Sequence, residues 1–435
     1  MTGRAIVLRG DARALPLPDA CADLIVTSPP YFGLRSYTDD GAHYDGQIGS
    51  EASPREWLAA LAECTAEWVR VLKPSGSIFV NLGDKFSQRV ATRPSSHQDG
   101  LFPDRPELRK DWKRDRAAGL ARMPYENVID GDGNYVREKS LIGLPWRYAL
   151  ACMDDLGLIL RRDIIWSKPN GLPESVTDRC RSSHEYLFHF TRQPRYYAAV
   201  DEIREQYAPG TAERYRSGYQ QTLVSSSGQT KNAVLRCDGG GPKDVNPLGK
   251  LPGSVWDIPS QPLTVPAALG VDHFAAFPME LPRRCVLGWS PPGICTACGE
   301  GRRPVVDALR TVDGMPTSGT WDTQANGHSL GPQGVGHWRY ATTRRHMGYA
   351  CACPQPDAPT RPSLVVDPFG GTGTVAAVAA AYGRTGISVD MSGDYSRLAR
   401  WRTTDPAERA RAMLVAKPPP VPDGQGSLFD DAEAS

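Results

Sequence analysis

The stretch Thr27-Ser28-Pro29-Pro30-Tyr31 contains a hydroxyl group and an aromatic ring directly after the apolar run Leu24–Val26. Neither proline has an N–H to donate to a sheet, and each fixes its φ angle, so the chain leaves the strand in one direction. Ser28 and Tyr31 would then be held at the carboxyl end of a strand, where open α/β sheets bind their ligands. The alternative is a surface turn that only ends a strand.

A second stretch, "SLVVDPFGGTGTVAAVAAAYGRTGISVD", reads as a buried strand, a glycine-rich turn, a helix and another strand. Gly370, Gly371 and Gly373 would let backbone amides approach a ligand at the start of the helix. Asp390 ends the next strand, where an acid suits the two hydroxyls of a ribose. The pattern indicates an adenosine-containing cofactor, with a tight turn without ligand as the alternative. It lacks the full dinucleotide fingerprint and a Walker-type lysine.

Four of the ten cysteines form two close pairs. They are Cys295-x-x-Cys298 and Cys351-x-Cys353, and in a chain without an export signal such pairs favour a metal site over disulfides. Four thiolates suit tetrahedral Zn²⁺ in a structural role, clamping the insert between the pairs. The alternative is a set of reduced thiols without a metal.

The elements that must position these residues alternate between strand and helix. Residues 54–72 have apolar side chains at helical spacing, and Lys73–Gly76 is predicted to end this helix before the strand in "SIFVNLGDKF". A helix and a strand follow in residues 140–167, and "HEYLFHFTR" is a further strand. This alternation predicts an α/β layered fold.

Bulk properties leave most partners open. The chain has 435 residues and a formal net charge of +1, so a nucleic-acid surface would have to be a local basic patch. The polar stretch "RPELRKDWKRDR" is a candidate for such a patch. The alternative interpretation is that this stretch is an insertion exposed to solvent. No apolar run is long enough to cross a bilayer, and the first residues lack a secretory h-region. We therefore expect a cytoplasmic protein, encoded by a bacterium or its phage.

Taken together, "TSPPY" and "DPFGGTGT" resemble the catalytic and cofactor motifs of amino-group DNA methyltransferases. The catalytic motif comes first and the cofactor loop last, as in the circularly permuted β class. The segments "GDA", "LKPSGSIFVNLGD", "DIIWSKPN", "DRCRSSHEYLFHFTR" and "FPMELPRR" resemble further motifs of that class in the same order. The resemblance implies a Rossmann-like, S-adenosyl-L-methionine-dependent methyltransferase fold, permuted, with inserted recognition and zinc-binding-like segments.

This resemblance implies a reaction on a base flipped out of double-stranded DNA, with direct methyl transfer to its exocyclic amine. The Ser28 hydroxyl and the Pro29 carbonyl would accept hydrogen bonds from that amine, Pro30 would keep the turn rigid, and Tyr31 would stack on the base. Serine in this motif usually accompanies cytosine N4, so N4-methylcytosine is predicted. Adenine N6 is the alternative.

The resemblance also implies a cofactor-binding set and, on the target-base side, residues that contact DNA. The cofactor set is Asp11, Phe277, Pro278, Asp367, Phe369, Gly371, Gly373, Thr374 and Asp390. Lys168 is predicted near the target strand, and His184 and Glu185 are predicted either to contact the base or to bond to the backbone.

The predicted domain organisation follows these motifs. The catalytic half of the core spans 1–86, a polar insertion 87–138, the rest of the target-base half 139–195, a target-recognition segment 196–270, cofactor-side core 271–294, the cysteine insert 295–353, the cofactor-binding half 354–415, and a disordered tail 416–435. In the tail, "QGSLF" resembles a peptide that docks on the replication sliding clamp, through Gln425, Leu428 and Phe429; chance is the alternative.

Three functions stay open from the sequence. The first is a site-specific DNA methyltransferase, either an orphan or paired with a restriction endonuclease. The second is a catalytically silent DNA-binding module on the same fold, and the third is an RNA or protein methyltransferase. The complete Ser28–Tyr31 motif and glycine loop favour the first.

Overall fold

The computed structural model describes the polypeptide in segments, and every structural statement below concerns these segments. They are residues 3–33, 38–39, 42–43, 46–87, 139–171, 173–211, 221–224, 230–233, 246, 248–266, 269, 277–312, 340–355 and 357–416. Within them, no helix combines the length and the apolar character needed to cross a membrane.

The described chain contains sixteen strands and six α-helices. The strands are β1 Arg4–Arg9, β2 Ala22–Thr27, β3 Thr38–Asp39, β4 Ala42–His43, β5 Leu72–Leu82, β6 Ile159–Ser167, β7 His184–Thr191, β8 Gln221–Val224, β9 Thr230–Ala233, β10 Val255–Asp257, β11 Ile294–Cys295, β12 Arg303–Val312, β13 Tyr340–Ala350, β14 Thr360–Arg361, β15 Leu364–Asp367 and β16 Thr385–Asp390. The helices are α1 Pro54–Val71, α2 Leu144–Asp154, α3 Glu280–Trp289, α4 Thr374–Ala381, α5 Gly393–Thr404 and α6 Pro406–Ala412, and Val200–Ile203 forms a 3₁₀ turn.

Eight strands form one central sheet in the order β1-β16-β15-β2-β5-β7-β6-β10. The strands from β1 to β5 in this order are mutually parallel, and β7 runs antiparallel to both β5 and β6. The continuous apolar runs in β2 and β15 are buried because neighbouring strands flank both and helices pack on the sheet. The α/β fold predicted from the sequence is confirmed.

The sheet reverses its winding between β15 and β2. The chain passes from β15 through α4 to β16 on one side, and from β2 through α1 to β5 on the other. The two strands at the reversal pair directly, with Val365 opposite Leu24 and Val366 opposite Ile25. A crevice outside the carboxyl ends of strands is expected at such a switch point.

Helix α1 begins and ends where its sequence indicates. The Ser53 hydroxyl accepts the amide of Glu56, capping the first turn, and Trp57, Leu61 and Trp68 are buried on one face. Residues 73–76, predicted to end the helix, belong to β5, which starts immediately after the helix. The β2–β5 register shifts between Ala22 and Leu24, and this irregularity accommodates the proline and glycine within a strand.

The chain forms two compact units whose boundaries differ from the predicted domains. The first unit contains residues 1–197, 254–292 and 362–435, and the second contains 198–253 and 293–361. Residues 254–270 were predicted to belong to the recognition segment, but β10 pairs with β6 in the central sheet and buries Trp256. The remaining recognition segment and the cysteine insert, separate in sequence, form one unit.

The second unit is built from small antiparallel sheets. Strand β8 pairs with β9, β11 with β14, and β12 with β13. The Tyr349 hydroxyl donates to Glu202 Oε1 at 2.8 Å and so connects the two sequence segments of this unit.

Candidate active site

Most of the predicted site residues lie at one edge of the central sheet. The parallel strands β1, β16, β15, β2 and β5 all end at this edge, while β7 begins there and β6 ends there. Two parallel strands end in an acid: β15 ends at Asp367 and β16 ends at Asp390. Two others are followed by predicted site residues: Asp11 comes after β1 and the Ser28–Tyr31 turn comes after β2. At the same edge, Glu185 lies at the start of β7 and Lys168 follows the end of β6. The cofactor residues and the target-base residues therefore occupy neighbouring halves of one edge.

The glycine loop after β15 is shaped by a close contact with β16. A Cβ atom on Gly370 would lie 1.9 Å from Ser388 Oγ, so only glycine fits at this position without a rearrangement. Gly371 and Gly373 have φ angles of +48° and +73°, a region that favours glycine. The Gly370 amide donates to the Val389 carbonyl at 2.8 Å, which fixes the loop over the end of β16.

Asp390 connects three segments of the cofactor half. Its Oδ2 accepts the Gly371 amide and its Oδ1 accepts the Ser392 amide, each at 2.9 Å. Its carbonyl accepts the Gly10 amide at 3.0 Å and thereby fixes the end of β1. Each carboxylate oxygen has more than one acceptor position, so these bonds are compatible with further donors such as ribose hydroxyls.

Asp11 is held by its own turn. Both of its carboxylate oxygens accept from the Arg13 side chain, the shortest contact being 2.7 Å from a guanidinium nitrogen to Oδ2. Hydrogen bonding to Arg13 lowers the pKa of Asp11. The carboxylate is thus ionised and directed by an adjacent arginine at the end of β1.

Asp367 is the buried acid of the cofactor half. It lies at the end of β15 with 1% of its surface exposed, and burial raises its pKa to about 7. The Phe369 amide donates to its Oδ1 at 3.2 Å, and the nearby charge of Asp390 also favours the neutral form. A group that titrates near neutral pH therefore lies directly beneath the glycine loop.

Thr374 and Pro278, both predicted to bind the cofactor, have buried side chains. The Thr374 hydroxyl accepts from the Arg402 guanidinium at 2.7 Å, as does the hydroxyl of Thr372. Arg402 also donates to Glu408 at 2.9 Å. The Thr374 side chain therefore anchors the loop to α5. The Pro278 carbonyl accepts the Leu281 amide at 3.1 Å in the first turn of α3.

The Ser28–Tyr31 turn is fixed by a buried tryptophan that sequence reasoning missed. Trp57 Nε1, on α1, donates to the Pro30 carbonyl at 3.0 Å, and this side chain is 1% exposed. On the other side of the turn, the Gly33 amide donates to the Gly49 carbonyl at 2.8 Å. The two prolines and these hydrogen bonds fix the backbone of the turn, so Ser28 and Tyr31 are already in place before a ligand binds.

Tyr31 is the centre of a polar network that spans three further strands. Its hydroxyl donates to Glu185 Oε2 at 2.7 Å and accepts from Asn81 Nδ2 at 2.7 Å. Asn81 also donates to Glu185 Oε2 at 2.6 Å, and Lys168 Nζ forms an ion pair with Glu185 Oε1. Burial and the Glu185 charge raise the pKa of Tyr31 well above its usual range, so the phenol stays protonated.

The residues predicted on the DNA side thus have specific places. The Glu185 carboxylate binds the side chains of Tyr31, Asn81 and Lys168, and its predicted contact with the target base stays a prediction. Lys168 also lies 4.3 Å from the centre of the Trp166 ring, and the His184 ring packs edge-on to Tyr186. Asn81 was missed, although it is the penultimate residue of β5 and an amide near the carboxyl end of an apolar strand is a recognisable polar signal.

The cysteine cluster lies in the second unit. The Sγ atoms of Cys295, Cys298, Cys351 and Cys353 all lie within 4.8 Å of one another. The Gly299 amide donates to the Cys295 carbonyl at 2.9 Å in a tight turn with Gly299 at φ +75°. The Cys298 amide lowers the pKa of the Cys295 thiol to about 6, which favours the thiolate form that binds metals.

Three sets of predicted features lie outside the described residues. The first is the set of clamp-docking residues Gln425, Leu428 and Phe429. The second is the basic stretch "RPELRKDWKRDR", and the third is much of the predicted recognition segment. These predictions stay predictions.

Comparison with known proteins identifies the family. A family model described as DNA methylase, of the N6/N4 type, matches residues 22–296. The chain belongs to this DNA methylase family. The match contains the Ser28–Tyr31 turn and the Asn81–Glu185–Lys168 network, and it ends before the glycine loop.

Curated relatives extend this result. The Type II methyltransferase M.Cfr9I of Citrobacter freundii is 33% identical over 291 residues, covering 66% of this chain and 74% of the relative. M.XycI of Xanthomonas campestris pv. cyanopsidis is 32% identical and M.SmaI of Serratia marcescens is 31% identical over the same length, covering 73% and 76% of these relatives. The resemblance to amino-group DNA methyltransferases drawn from the sequence is confirmed, and as a family member the protein is a DNA methyltransferase.

Proposed function

We propose that this DNA methyltransferase transfers the methyl group of S-adenosyl-L-methionine to N4 of a cytosine in double-stranded DNA. The observation that carries the proposal is the direct pairing of β15 and β2, which brings the glycine loop and the Ser28–Tyr31 turn to adjacent strand ends. One half of the edge fits an adenosine-containing cofactor and the other fits a planar base with an amine. A protein that uses this family fold in bacteria would act in the cytoplasm.

The cofactor half fits S-adenosyl-L-methionine on the chemistry of its donors. At Gly370 there is no room for a side chain, and the loop presents the start of α4, where backbone amides are available to a ligand. Gly371, Gly373 and Phe369 would line the cofactor, Asp390 would bind the ribose hydroxyls, and Asp11 would meet the adenine. The cofactor supplies an electrophilic methyl group on a sulfonium.

The base half would make the amine nucleophilic. The Ser28 hydroxyl and the Pro29 carbonyl are the acceptors for its two N–H groups, and the fixed turn positions them before the base arrives. With the cofactor bound, its methyl group would be transferred to this nitrogen, and one of the two amine protons would be released to solvent, so that the methylated amine is neutral. Tyr31, held by Glu185 and Asn81, would support the ring of the flipped base.

The assignment to cytosine N4 rests on Ser28 in the catalytic motif. The test is to incubate the purified protein and S-adenosyl-L-methionine with genomic DNA of varied sequence, digest the DNA, and analyse the nucleosides by mass spectrometry. N4-methylcytosine is expected, and it should disappear in the Ser28→Ala variant. N6-methyladenine would overturn the base assignment and keep the cofactor and the site. If neither base is methylated by protein that binds the cofactor, the silent DNA-binding module becomes the better description.

We also propose that the cysteine cluster binds one structural Zn²⁺. A tetrahedral ion with Zn–S bonds of 2.3 Å requires sulfur–sulfur separations of about 3.8 Å. The Cys295–Cys353 and Cys351–Cys353 distances are 3.8 and 3.4 Å. Metal analysis of the purified protein should give one zinc per chain, and Cys351→Ser/Cys353→Ser should lose it. Protein without zinc that keeps its stability would contradict this proposal.

The relatives described as Type II methyltransferases suggest a biological setting. We propose that this enzyme protects DNA from a restriction endonuclease that recognises the same sequence. A plasmid methylated in cells that express the enzyme should resist one endonuclease whose site contains the methylated position.

A further inference from the structure

The strands β12 and β13 form a two-stranded ribbon in the second unit, here called the clamped ribbon. Its register runs through ten pairs, from Arg303 opposite Ala350 to Val312 opposite Tyr340, with one irregularity after Val305. At about 3.3 Å per residue this gives a length of about 30 Å. Within the described part of the chain, neither strand pairs with a third one.

The four cysteines of the cluster lie at one end of the clamped ribbon. Cys298 precedes β12 and Cys351 follows β13 directly, so the cysteine cluster lies at the end where Arg303 and Ala350 pair. Near this end Val305 is 42% exposed and Met347 is 59% exposed, which leaves the base of the ribbon uncovered. A metal ion bound by these thiols, as proposed above, would cross-link the two strands at this base.

The charge of the clamped ribbon differs from that of the whole chain. Its two strands contain the arginines 303, 310, 344 and 345 and a single acid, Asp307, whereas the chain as a whole has a net charge of +1. Arg344 and Arg345 are consecutive and stand at register positions opposite Ala308 and Asp307. The positive charge is therefore concentrated on an extended element, the distribution that attracts a polyanion.

We propose that the clamped ribbon is a DNA-docking element of this enzyme and that it contacts the duplex through its arginines. The major groove of B-DNA admits a two-stranded β-ribbon, and a length of about 30 Å is close to one helical turn. This inference rests on the proposed function, since a methyltransferase acting on DNA needs such a surface. The second unit joins the ribbon to the segment predicted from its position to recognise the target.

The test compares two double variants that remove the same charge. Arg344→Gln/Arg345→Gln alters the ribbon, and Arg400→Gln/Arg409→Gln alters exposed positions on α5 and α6. Affinity for a fluorescently labelled duplex of mixed sequence is measured by anisotropy over a series of salt concentrations, and binding of S-adenosyl-L-methionine is measured in parallel. The mixed sequence makes the binding readout independent of methylation.

We expect the ribbon variant to bind DNA at least about tenfold more weakly at low salt and to show a shallower salt dependence. Each lost phosphate contact reduces the slope of log K against log salt by about 0.9. The control variant should behave as wild type, and all three proteins should bind the cofactor equally. An unchanged slope and affinity in the ribbon variant would overturn the proposal and point to a protein partner instead.

The two proposals fail in different ways. If the wild type methylates DNA and the ribbon variant binds as tightly as wild type, only the ribbon proposal fails. If no DNA is methylated but the ribbon variant still loses affinity and salt dependence, the methyl-transfer proposal fails and the ribbon remains a DNA-docking element.

Discussion

At the cofactor half of the catalytic edge the glycine loop is held through its backbone amides, whereas at the base half side chains bind one another. The Gly370 amide donates to the Val389 carbonyl and the Gly371 amide donates to the Asp390 carboxylate, all within one strand–loop–helix–strand segment. Tyr31 and Glu185, by contrast, are 154 residues apart in sequence and meet through their side chains. The first half is local and depends on the absence of side chains, and the second is long-range and depends on their presence.

This difference determines how substitutions should act. In the cofactor half, an added methyl group is harmful because the space is already filled by the neighbouring strand. In the base half, a change of charge or of a hydrogen-bonding group is harmful, since a buried polar group left without its partner is costly. Substitutions of each kind separate cofactor binding from methyl transfer.

The largest effect is expected for Gly370→Ala, whose Cβ would overlap Ser388 Oγ at 1.9 Å. The loop must move, and we expect S-adenosyl-L-methionine binding, measured by calorimetry, to weaken by at least about a hundredfold, the equivalent of about 2.7 kcal/mol. The Ser388 hydroxyl is buried without a hydrogen-bond partner among the described residues. Ser388→Ala alone should therefore be tolerated, but it should not restore cofactor binding to Gly370→Ala, because the Cβ and Cα atoms of residue 388 would still lie 2.9 and 3.0 Å from the added Cβ. Wild-type affinity in Gly370→Ala would show that the loop is not the cofactor site.

Glu185→Gln should cause the next largest effect. The substitution keeps the shape and removes the charge that pairs with Lys168 and accepts from Tyr31. We expect kcat to fall about tenfold, as for the loss of about 1.4 kcal/mol, with cofactor affinity unchanged. Glu63→Gln, at an exposed position on α1, is the control.

A spectroscopic readout distinguishes positioning of Tyr31 from a general loss of structure. The Glu185 charge contributes to the raised pKa of Tyr31, so Glu185→Gln should lower that pKa. Tyrosinate absorbance is titrated against pH, with Tyr31→Phe as the reference for the other tyrosines. Reduced kcat with an unchanged Tyr31 titration would contradict the role assigned to Glu185.

The sequence predicted the cofactor half better than the base half for a physical reason. The glycines, the helix Thr374–Ala381 and the terminal Asp390 follow one another, so their spacing alone indicates how they meet. Asn81 reaches Tyr31 across 50 residues of sequence, and Trp57 reaches Pro30 from another element. No local pattern contains these partners, because only the strand order brings them together.

Strand β5 shows a place where a local signal is overridden. Pro74 and Gly76 favour a turn, and residues 73–76 were predicted only to end the preceding helix, yet they belong to a strand. The observed strand is supported by long-range contacts: Lys73 pairs with Asp23 at 2.5 Å, and the Ser75 carbonyl accepts the Tyr197 amide at 2.9 Å. Tertiary pairing outweighed the turn propensity of two residues.

Asp367 offers a test of the cofactor half through pH. Its pKa is about 7 in the folded protein against a usual value of 3.8, so between these values the folded state holds a proton that the unfolded chain has released. The free energy of unfolding should therefore fall as pH rises across this window, by up to about 1.4 kcal/mol per pH unit from this group. In Asp367→Asn this contribution is absent. Urea unfolding of both proteins from pH 4 to 7 measures this: the free energy of unfolding should fall more steeply with pH in the wild type than in Asp367→Asn. An equal pH dependence of the two proteins would contradict the raised pKa of Asp367.

The smallest kinetic effects are expected at two tryptophans on α1 that support different halves of the edge. Trp57 Nε1 donates to the Pro30 carbonyl at 3.0 Å and Trp68 Nε1 donates to the Ala12 carbonyl at 3.2 Å, and both side chains are buried. Trp68 also packs edge-on against Phe369, with ring centres 5.8 Å apart. Trp57→Phe therefore removes an indole donor from the base half, and Trp68→Phe removes one from the cofactor half.

Each substitution should lower the free energy of unfolding by about 1–3 kcal/mol, since each leaves a carbonyl without its buried partner. Their kinetic effects should differ. Trp57→Phe loosens the Ser28–Tyr31 turn and should reduce kcat a few-fold at saturating cofactor, while Trp68→Phe should raise the KM for S-adenosyl-L-methionine and leave kcat near wild type. Steady-state kinetics with both substrates measures this. Identical kinetic effects would mean that the two halves are coupled through α1 rather than built separately.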